Sequence, residues 1–165
     1  MFKVNDYVMY NSVGVYKIID IRKEKDFNNN ETEYYILEPA FSDNLTIKTP
    51  VHNPKVLIRN VMSKDEVLAL IDTIPEKETL WINDNRERNA TFKAALRTLD
   101  SEKLVKLIKT IYAEKKEKMN LGKKIMKTDE AILNAAEKNL HEEFAVALNI
   151  LPEEVFSFIQ ERIPS

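Results

Sequence analysis

The segment that decides the fold is Ser63-Lys64-Asp65-Glu66-Val67-Leu68-Ala69-Leu70-Ile71. Its first four residues have the pattern of a capping box, in which a serine and a glutamate three positions later satisfy free backbone amides at a helix start. Apolar residues then recur at helical spacing until Pro75 ends the run, because proline lacks a backbone donor. The segment therefore predicts a helix, and it marks the point where the pattern of the chain changes.

Residues 1–62, which precede the helix, are predicted to be β-structure. Short runs of β-branched and aromatic residues alternate there with turn residues, which is typical of strands. The predicted strands are Phe2–Tyr10, Val15–Ile21, Glu33–Leu37, Leu45–Thr49 and Val56–Ile58. Five short strands without a helix indicate a small barrel or a strongly bent sheet.

Residues 63–165 are predicted to form an all-α domain. The Asp84 side chain can cap a second helix that runs to Leu99. Asp100 begins a third helix, Thr128 a fourth, and Pro152 fits the first turn of a fifth, where its missing donor costs nothing. The predicted fold class is therefore α+β, with a small β domain over residues 1–62 and a helical domain over residues 63–165.

The charge is distributed unevenly along the chain. The net charge is only −2, but residues 86–127 carry 13 basic and 5 acidic side chains, whereas residues 128–165 carry 2 basic and 8 acidic ones. A basic segment of net charge +8 indicates a polyanion as partner. The alternative is a lysine-rich helix face that is simply solvated.

The composition gives no support to catalysis or to a metal site. The chain has no cysteine, and its two glycines, Gly14 and Gly122, cannot form a phosphate-cradling loop. The two histidines, His52 and His141, lie far apart in sequence, and a metal site needs three or four converging ligands. We therefore expect a protein that is not an enzyme and that uses neither a metal nor a cofactor.

The location is expected to be cytoplasmic. The N-terminus has no apolar run behind a basic start, so it does not predict a secretory signal. No run of about 18 apolar residues predicts a membrane span. We expect a monomer that does not interact with membranes.

The only tryptophan, Trp81, lies just before the predicted second helix. The residues that follow it include Arg86, Arg88, Asn89 and Lys93. An apolar ring beside guanidinium and amide groups is suited to the DNA minor groove, where arginine binds phosphates and an apolar side chain can enter an opened base step. The alternative is a tryptophan that covers the core at a helix start.

Several segments together resemble the CarD family of bacterial transcription regulators. They are Phe2–Tyr10, Gly14–Ile18, Leu45–Pro50, Trp81 with the arginines after it, and Ala135–Ala145. The order and spacing of these segments extend the resemblance over nearly the whole chain. One departure is Asn5, which stands where a glycine is usual in the family.

The resemblance implies two interaction domains. The N-terminal domain would be a Tudor-like module that docks on the β subunit of RNA polymerase, as the same module does in transcription-repair coupling factor. The helical domain would hold promoter DNA at the upstream edge of the melted region. The family's basic strand residues match Arg22 and Lys48.

The resemblance also assigns roles in the helical domain. The tryptophan that enters the minor groove matches Trp81, the nearby arginine matches Arg86 or Arg88, and the helix lysine matches Arg88 or Lys93. The additional stretch that contains Lys123 and Lys124 would add phosphate contacts or serve as a loop.

For the polymerase contact, we predict edge-strand pairing by the Leu45–Thr49 region. Ile47, Lys48 and Thr49 would lie along the contact, and Lys48 and Arg22 would meet acidic residues of the partner. The alternative is that both basic residues are ordinary exposed strand charges, which protect edges from aggregation.

Three functions are compatible with these features. The first is a regulator of transcription initiation that binds polymerase and double-stranded promoter DNA with low sequence specificity, and that stabilises the open complex through Trp81 in the minor groove. The second is a protein-only adaptor that docks on polymerase without DNA contact, with Trp81 packed on its own helices. The third, and least favoured, is an RNA-binding elongation factor, which expects base-stacking aromatics on the sheet.

Overall fold

The computed structural model describes residues 1–11, 13–43, 45–53 and 55–163. The chain forms two compact units, Met1–Val61 and Met62–Ser165. The boundary lies one residue before the position at which the sequence pattern placed it. The α+β fold class predicted from the sequence is confirmed, since the strands precede the helices in the described ranges.

The first unit is an antiparallel sheet. Its strands in the described residues are β1 (Tyr7–Tyr10), β2 (Gly14–Lys25), β3 (Glu31–Pro39), β4 (Ile47–Pro50) and β5 (Ile58–Asn60). Their order across the sheet is β4-β3-β2-β1-β5, so β4 and β5 are the edge strands. Each of the five predicted strands overlaps an observed one, but the bounds differ. β2 and β3 are longer than predicted, β1 starts only at Tyr7, β4 starts two residues later than predicted, and β5 shares only Ile58 with the predicted strand.

A bulge divides the long β2–β3 hairpin. The register shifts between Ile18 and Asp20, and Ile19 is the additional residue. Because side chains alternate between the two faces of a strand, this extra residue makes the β2 side chains after the bulge point to the opposite face from the one that regular alternation would give them. On one face, Ile18, Tyr35 and Leu37 are buried in the core of the sheet.

Two asparagines in this unit adopt backbone conformations that favour glycine. Asn5 has a φ of 78° and Asn11 a φ of 46°. Asparagine tolerates the left-handed region better than other residues with a β-carbon. Asn5 therefore adopts a backbone conformation that glycine, which the family resemblance implies at this position, would also adopt.

The second unit is helical. Its α-helices in the described residues are α1 (Lys64–Asp72), α2 (Asn85–Leu96), α3 (Ser101–Asn120), α4 (Lys127–Leu148) and α5 (Val155–Arg162). Short 3₁₀ turns at Ile74–Glu76 and Pro152–Glu154 precede the connection to α2 and the start of α5. The Ser63–Glu66 capping box is present at α1, as the sequence predicts.

The helix starts follow their capping residues. The side chain of Asp84 accepts a hydrogen bond from the Glu87 amide, and the side chain of Asp100 accepts from the first-turn amides of α3. The predicted end of α2 at Leu99 is wrong. The helix ends at Leu96, with the capping Arg97 amide still donating to the Lys93 carbonyl, and Leu99 turns the chain with a φ of 58° while its side chain stays buried.

Candidate functional site

The predicted polymerase-binding strand lies at an edge of the sheet. Among the residues that the structure describes, β4 pairs only with β3, through contacts that include Ile36↔Lys48 and Leu37↔Ile47. Its side chains are not equally available, however. Ile47 packs against the sheet core and Thr49 is only 3% exposed. A partner strand could therefore reach these two residues through their backbone but not through the Thr49 hydroxyl.

The two predicted basic residues of this unit are exposed and paired with acids. Arg22 donates to the Asp20 carboxylate at 2.7 Å, and this hydrogen bond holds the pKa of Asp20 below its ordinary value. Lys48 is paired with Glu24, and its Nζ lies 4.6 Å from the centre of the Tyr34 ring. Acidic side chains of a partner that binds Arg22 and Lys48 must therefore replace Asp20 and Glu24 in these pairs.

Trp81 is half-buried in the connection that leads to α2, four residues before the helix begins. Its ring packs edge-to-face on Phe92, with ring centroids 5.9 Å apart and an interplanar angle of 63°. The Arg88 guanidinium lies 4.4 Å from the ring centre, and Lys118 Nζ lies 5.8 Å from it. The ring is therefore held by side chains of α2 and α3, and it is neither fully buried nor free.

Arg88 connects the Trp81 loop to α4. Its guanidinium donates to both carboxylate oxygens of Asp129, at 3.1 and 2.9 Å, in a pair whose side chains are only 3% and 1% exposed. The same group donates to the carbonyl of Ile82 at 3.0 Å and, more weakly, to that of Asn83 at 3.4 Å. The planar fork of arginine suits several acceptors at fixed angles, which the point charge of lysine does not.

The predicted DNA contact of Arg88 stays a prediction, and the structure shows this side chain in other contacts. All the bonding directions of its guanidinium face protein groups, and its side chain is buried. In this structure it holds Trp81 and the two residues that follow it. The sequence pattern did not reveal this because the partner, Asp129, lies on another helix.

The connection before Trp81 is also fixed by α3. The Lys109 ammonium donates to the carbonyls of Ile74, Pro75 and Lys77 at 2.8, 3.2 and 2.7 Å. The Leu80 amide donates to the hydroxyl of Thr110 at 3.4 Å. These contacts place the chain that leads into Trp81 along the side of α3.

The exposed basic residues of α2 form a stripe. Arg86 and Lys93 are separated by seven positions, and Arg97 at the C-terminal cap follows four positions later. Residues at this spacing lie on one face of a helix, and all three are exposed. Arg97 was missed in the sequence prediction, although its spacing from Lys93 could have identified it. We call Arg86, Lys93 and Arg97 the α2 stripe.

The remaining predicted DNA contacts differ in their surroundings. Asn89 is half-buried, and its Oδ1 atom is buried without a hydrogen-bond partner. Lys123 and Lys124 are exposed directly after Gly122, whose φ of 71° turns the chain after α3. Lys118 was not predicted as a contact, because its proximity to Trp81 arises only when α3 packs beside α2.

Lys124 also lines a basic cavity of about 390 Å³ between the ends of α3 and α4, together with Lys115 and Lys127. Lys115 is paired there with Glu130 at 3.0 Å. Among the described residues, no group of histidine and acidic side chains could hold a metal ion. Within the same ranges, no helix is both long and apolar enough to cross a membrane.

Taken with this geometry, comparison with known families defines the class of the first unit. Residues 2–62 match the family model described as the CarD-like/TRCF RID domain. The chain therefore carries a CarD-like RNA polymerase-interacting domain, and the predicted resemblance to CarD-like proteins is confirmed over those residues. The helical unit lies outside the matched residues. No curated protein matches the chain.

Proposed function

We propose that this chain is a non-enzymatic regulator of transcription initiation. The N-terminal unit docks on the β subunit of RNA polymerase, and the helical unit contacts promoter DNA at the upstream edge of the melted region. Trp81 enters the minor groove there and slows closure of the bubble. The observation that carries this proposal is the half-buried Trp81 ring, which is braced by the buried Arg88–Asp129 pair and followed in the chain by the exposed α2 stripe.

The bracing supports a binding role for the ring. A side chain that acts on DNA is most effective when its position is fixed before binding, because little conformational entropy is then lost. The Arg88 fork fixes both the ring and the backbone of the two residues that follow it.

The division of labour between the units supports the same proposal. The basic segment is local, and the chain as a whole is slightly acidic, so the helical unit alone should bind DNA weakly. Anchoring through the first unit would raise its effective concentration at the promoter to roughly the millimolar range. Minor-groove contacts separate little beyond A·T from G·C, so sequence specificity should be low.

For the polymerase contact, the geometry supports pairing along β4. Its outer edge has no partner strand among the described residues, and Lys48 lies on this strand. Main-chain hydrogen bonds of an added strand would supply affinity, while Lys48 and Arg22 would select an acidic partner. The protein-only adaptor remains the second candidate, and it is favoured by the packing of Trp81 on Phe92.

DNA binding by the full chain, measured as a function of salt, tests the proposal. Arg86→Ala, Lys93→Ala and Arg97→Ala should each reduce the slope of log affinity against log salt by about 0.9, because each removes at most one phosphate contact. Lys64→Ala, which removes an exposed lysine of α1, is the matched control and should not change the slope. If all four variants keep the slope of the unaltered chain, the protein-only adaptor would be favoured.

A further inference from the structure

The helical unit contains a second concave feature, away from Trp81. A cavity of about 220 Å³ lies between α3, α4, α5 and the Ile74–Glu76 turn. Its floor is apolar, since Val105 and Leu140 are 3% and 4% exposed, and Ile108 and Ile159 complete its walls. This volume is smaller than that of drug-sized pockets, which is about 300–1,000 Å³, so it suits a molecule with a single ring or a short branched chain.

The mouth of the cavity is lined by two aromatic rings and a carboxylate. Tyr112 and Phe156 are 40% and 49% exposed, which places them where the cavity opens to solvent. The Tyr112 hydroxyl donates to the Glu137 carboxylate at 3.4 Å. His141 follows Glu137 by one helical turn and also lines the cavity.

The charges at the mouth select against an anion. The only cation among the described lining residues is Lys109, and its three N–H groups already point to the carbonyls of Ile74, Pro75 and Lys77. It has no donor left for a ligand. Burial lowers the pKa of His141, which favours its neutral form. Glu137 is therefore the acidic group that the lining offers to a ligand.

We propose that this cavity binds a small organic amine. The apolar body of the amine fills the floor, and its ammonium group lies at the mouth against the Glu137 carboxylate and the rings of Tyr112 and Phe156. A carboxylate with aromatic rings is the combination that recognises ammonium groups, through a charge-assisted hydrogen bond and attraction to the ring faces.

Burial of Glu137 acts against its ionised form, and a bound ammonium group would act in favour of it. Burial raises the pKa of the Glu137 carboxyl, although its hydrogen bond with Tyr112 acts in the opposite direction. A bound ammonium group favours the ionised carboxylate and so opposes the effect of burial. The Lys115 ammonium also acts on Glu137 in this direction, but it is paired with Glu130 at 3.0 Å, and Lys109 is held by the turn; the amine would supply a positive partner in direct contact.

Titration of the isotopically labelled full chain, followed by NMR, tests the proposal with three matched probes: phenethylamine, phenethyl alcohol and phenylacetate. Phenethylamine should shift the amide signals of Ile108 and Leu140 and bind about tenfold more tightly than the alcohol, with phenylacetate the weakest. Glu137→Gln should bring the amine and alcohol affinities to within about threefold of each other. Glu153→Gln, which changes an exposed glutamate outside the cavity, should preserve the preference for the amine.

Two results would overturn the proposal. One is that phenylacetate binds as well as the amine, or that the amine shifts signals over the acidic surface rather than at the cavity. The other is that Glu137→Gln retains the full preference for the amine. Ile159→Trp, which places a large side chain in the cavity wall, provides a second check, because it should weaken the binding of the amine and the alcohol alike.

Discussion

Replacement of Arg88 by alanine should strongly destabilise the helical unit. It leaves the Asp129 carboxylate, which is 1% exposed, without its cation and without two hydrogen bonds. Loss of one partner of a buried ion pair costs about 3–5 kcal/mol. For a domain of about 100 residues, each kcal/mol lowers the Tm by about 4 °C or more, so we expect a fall of at least about 12 °C.

A second variant separates this energetic effect from the positioning of Trp81. In Arg88→Met/Asp129→Leu, no buried charge remains unpaired, so the double variant should be much more stable than Arg88→Ala. It still lacks the donors that hold the Ile82 and Asn83 carbonyls. The emission of Trp81 should therefore shift to the red and become easier to quench, even though stability is largely recovered.

Urea unfolding followed by tryptophan fluorescence measures the stability of the helical unit, and the emission and quenching of the folded protein report the surroundings of Trp81. Both signals come from one residue, because Trp81 is the only tryptophan and lies in the helical unit. Arg97→Ala is the control, since it removes an exposed arginine near the end of the same helix and should cost less than about 0.5 kcal/mol. The reasoning is refuted if Arg88→Ala costs less than about 1 kcal/mol. It is also refuted if the double variant leaves both the emission and the quenching of Trp81 unchanged.

Three further outcomes are expected. The double variant Arg22→Glu/Lys48→Glu should abolish pull-down of the polymerase β subunit, while its Tm changes by only a few degrees, since exposed ion pairs contribute about 0–1 kcal/mol. Lys23→Glu, on the same strand as Arg22, is the control, and survival of the pull-down in the double variant would contradict the predicted polymerase contact. Asn149→Ala, at the left-handed end of α4, should lower stability by about 1 kcal/mol in urea unfolding, and Asn149→Gly should not. Burial lowers the pKa of His141, so the stability that the neutral imidazole contributes is present above its unfolded pKa of about 6.5 and is lost as the pH falls through the lower folded pKa. His141→Gln should therefore flatten the dependence of the urea midpoint on pH over that range, and a pH profile identical to that of the unaltered chain would contradict the expectation.

The elements of the fold could be predicted because their signals are local. The capping box at Ser63 and the caps at Asp84 and Asp100 each act within one turn, so the sequence alone located three helix starts. The end of α2 could not be located in this way. The apolar Leu99 fits the helical pattern, but its backbone leaves the helix so that its side chain can reach the core.

The candidate site could be predicted only in part, because its geometry depends on distant residues. Position in the sequence identified Trp81 and the exposed Arg86 and Lys93. It could not distinguish the exposed Arg86 from the buried Arg88, since the difference arises from Asp129, 41 residues away. Lys118 likewise lies near Trp81 only through helix packing.

The most direct test of the proposed function is the lifetime of the open promoter complex in the presence of the full chain and of Trp81→Ala. Stacking of an aromatic ring on a base contributes about 1–3 kcal/mol, so the variant should let the bubble collapse about tenfold faster. Polymerase binding through the first unit and the salt dependence of DNA binding should stay the same, because an indole releases no counterion. An open-complex lifetime equal to that of the unaltered chain, together with a Tm lowered by many degrees, would show that Trp81 serves the core and does not act on DNA.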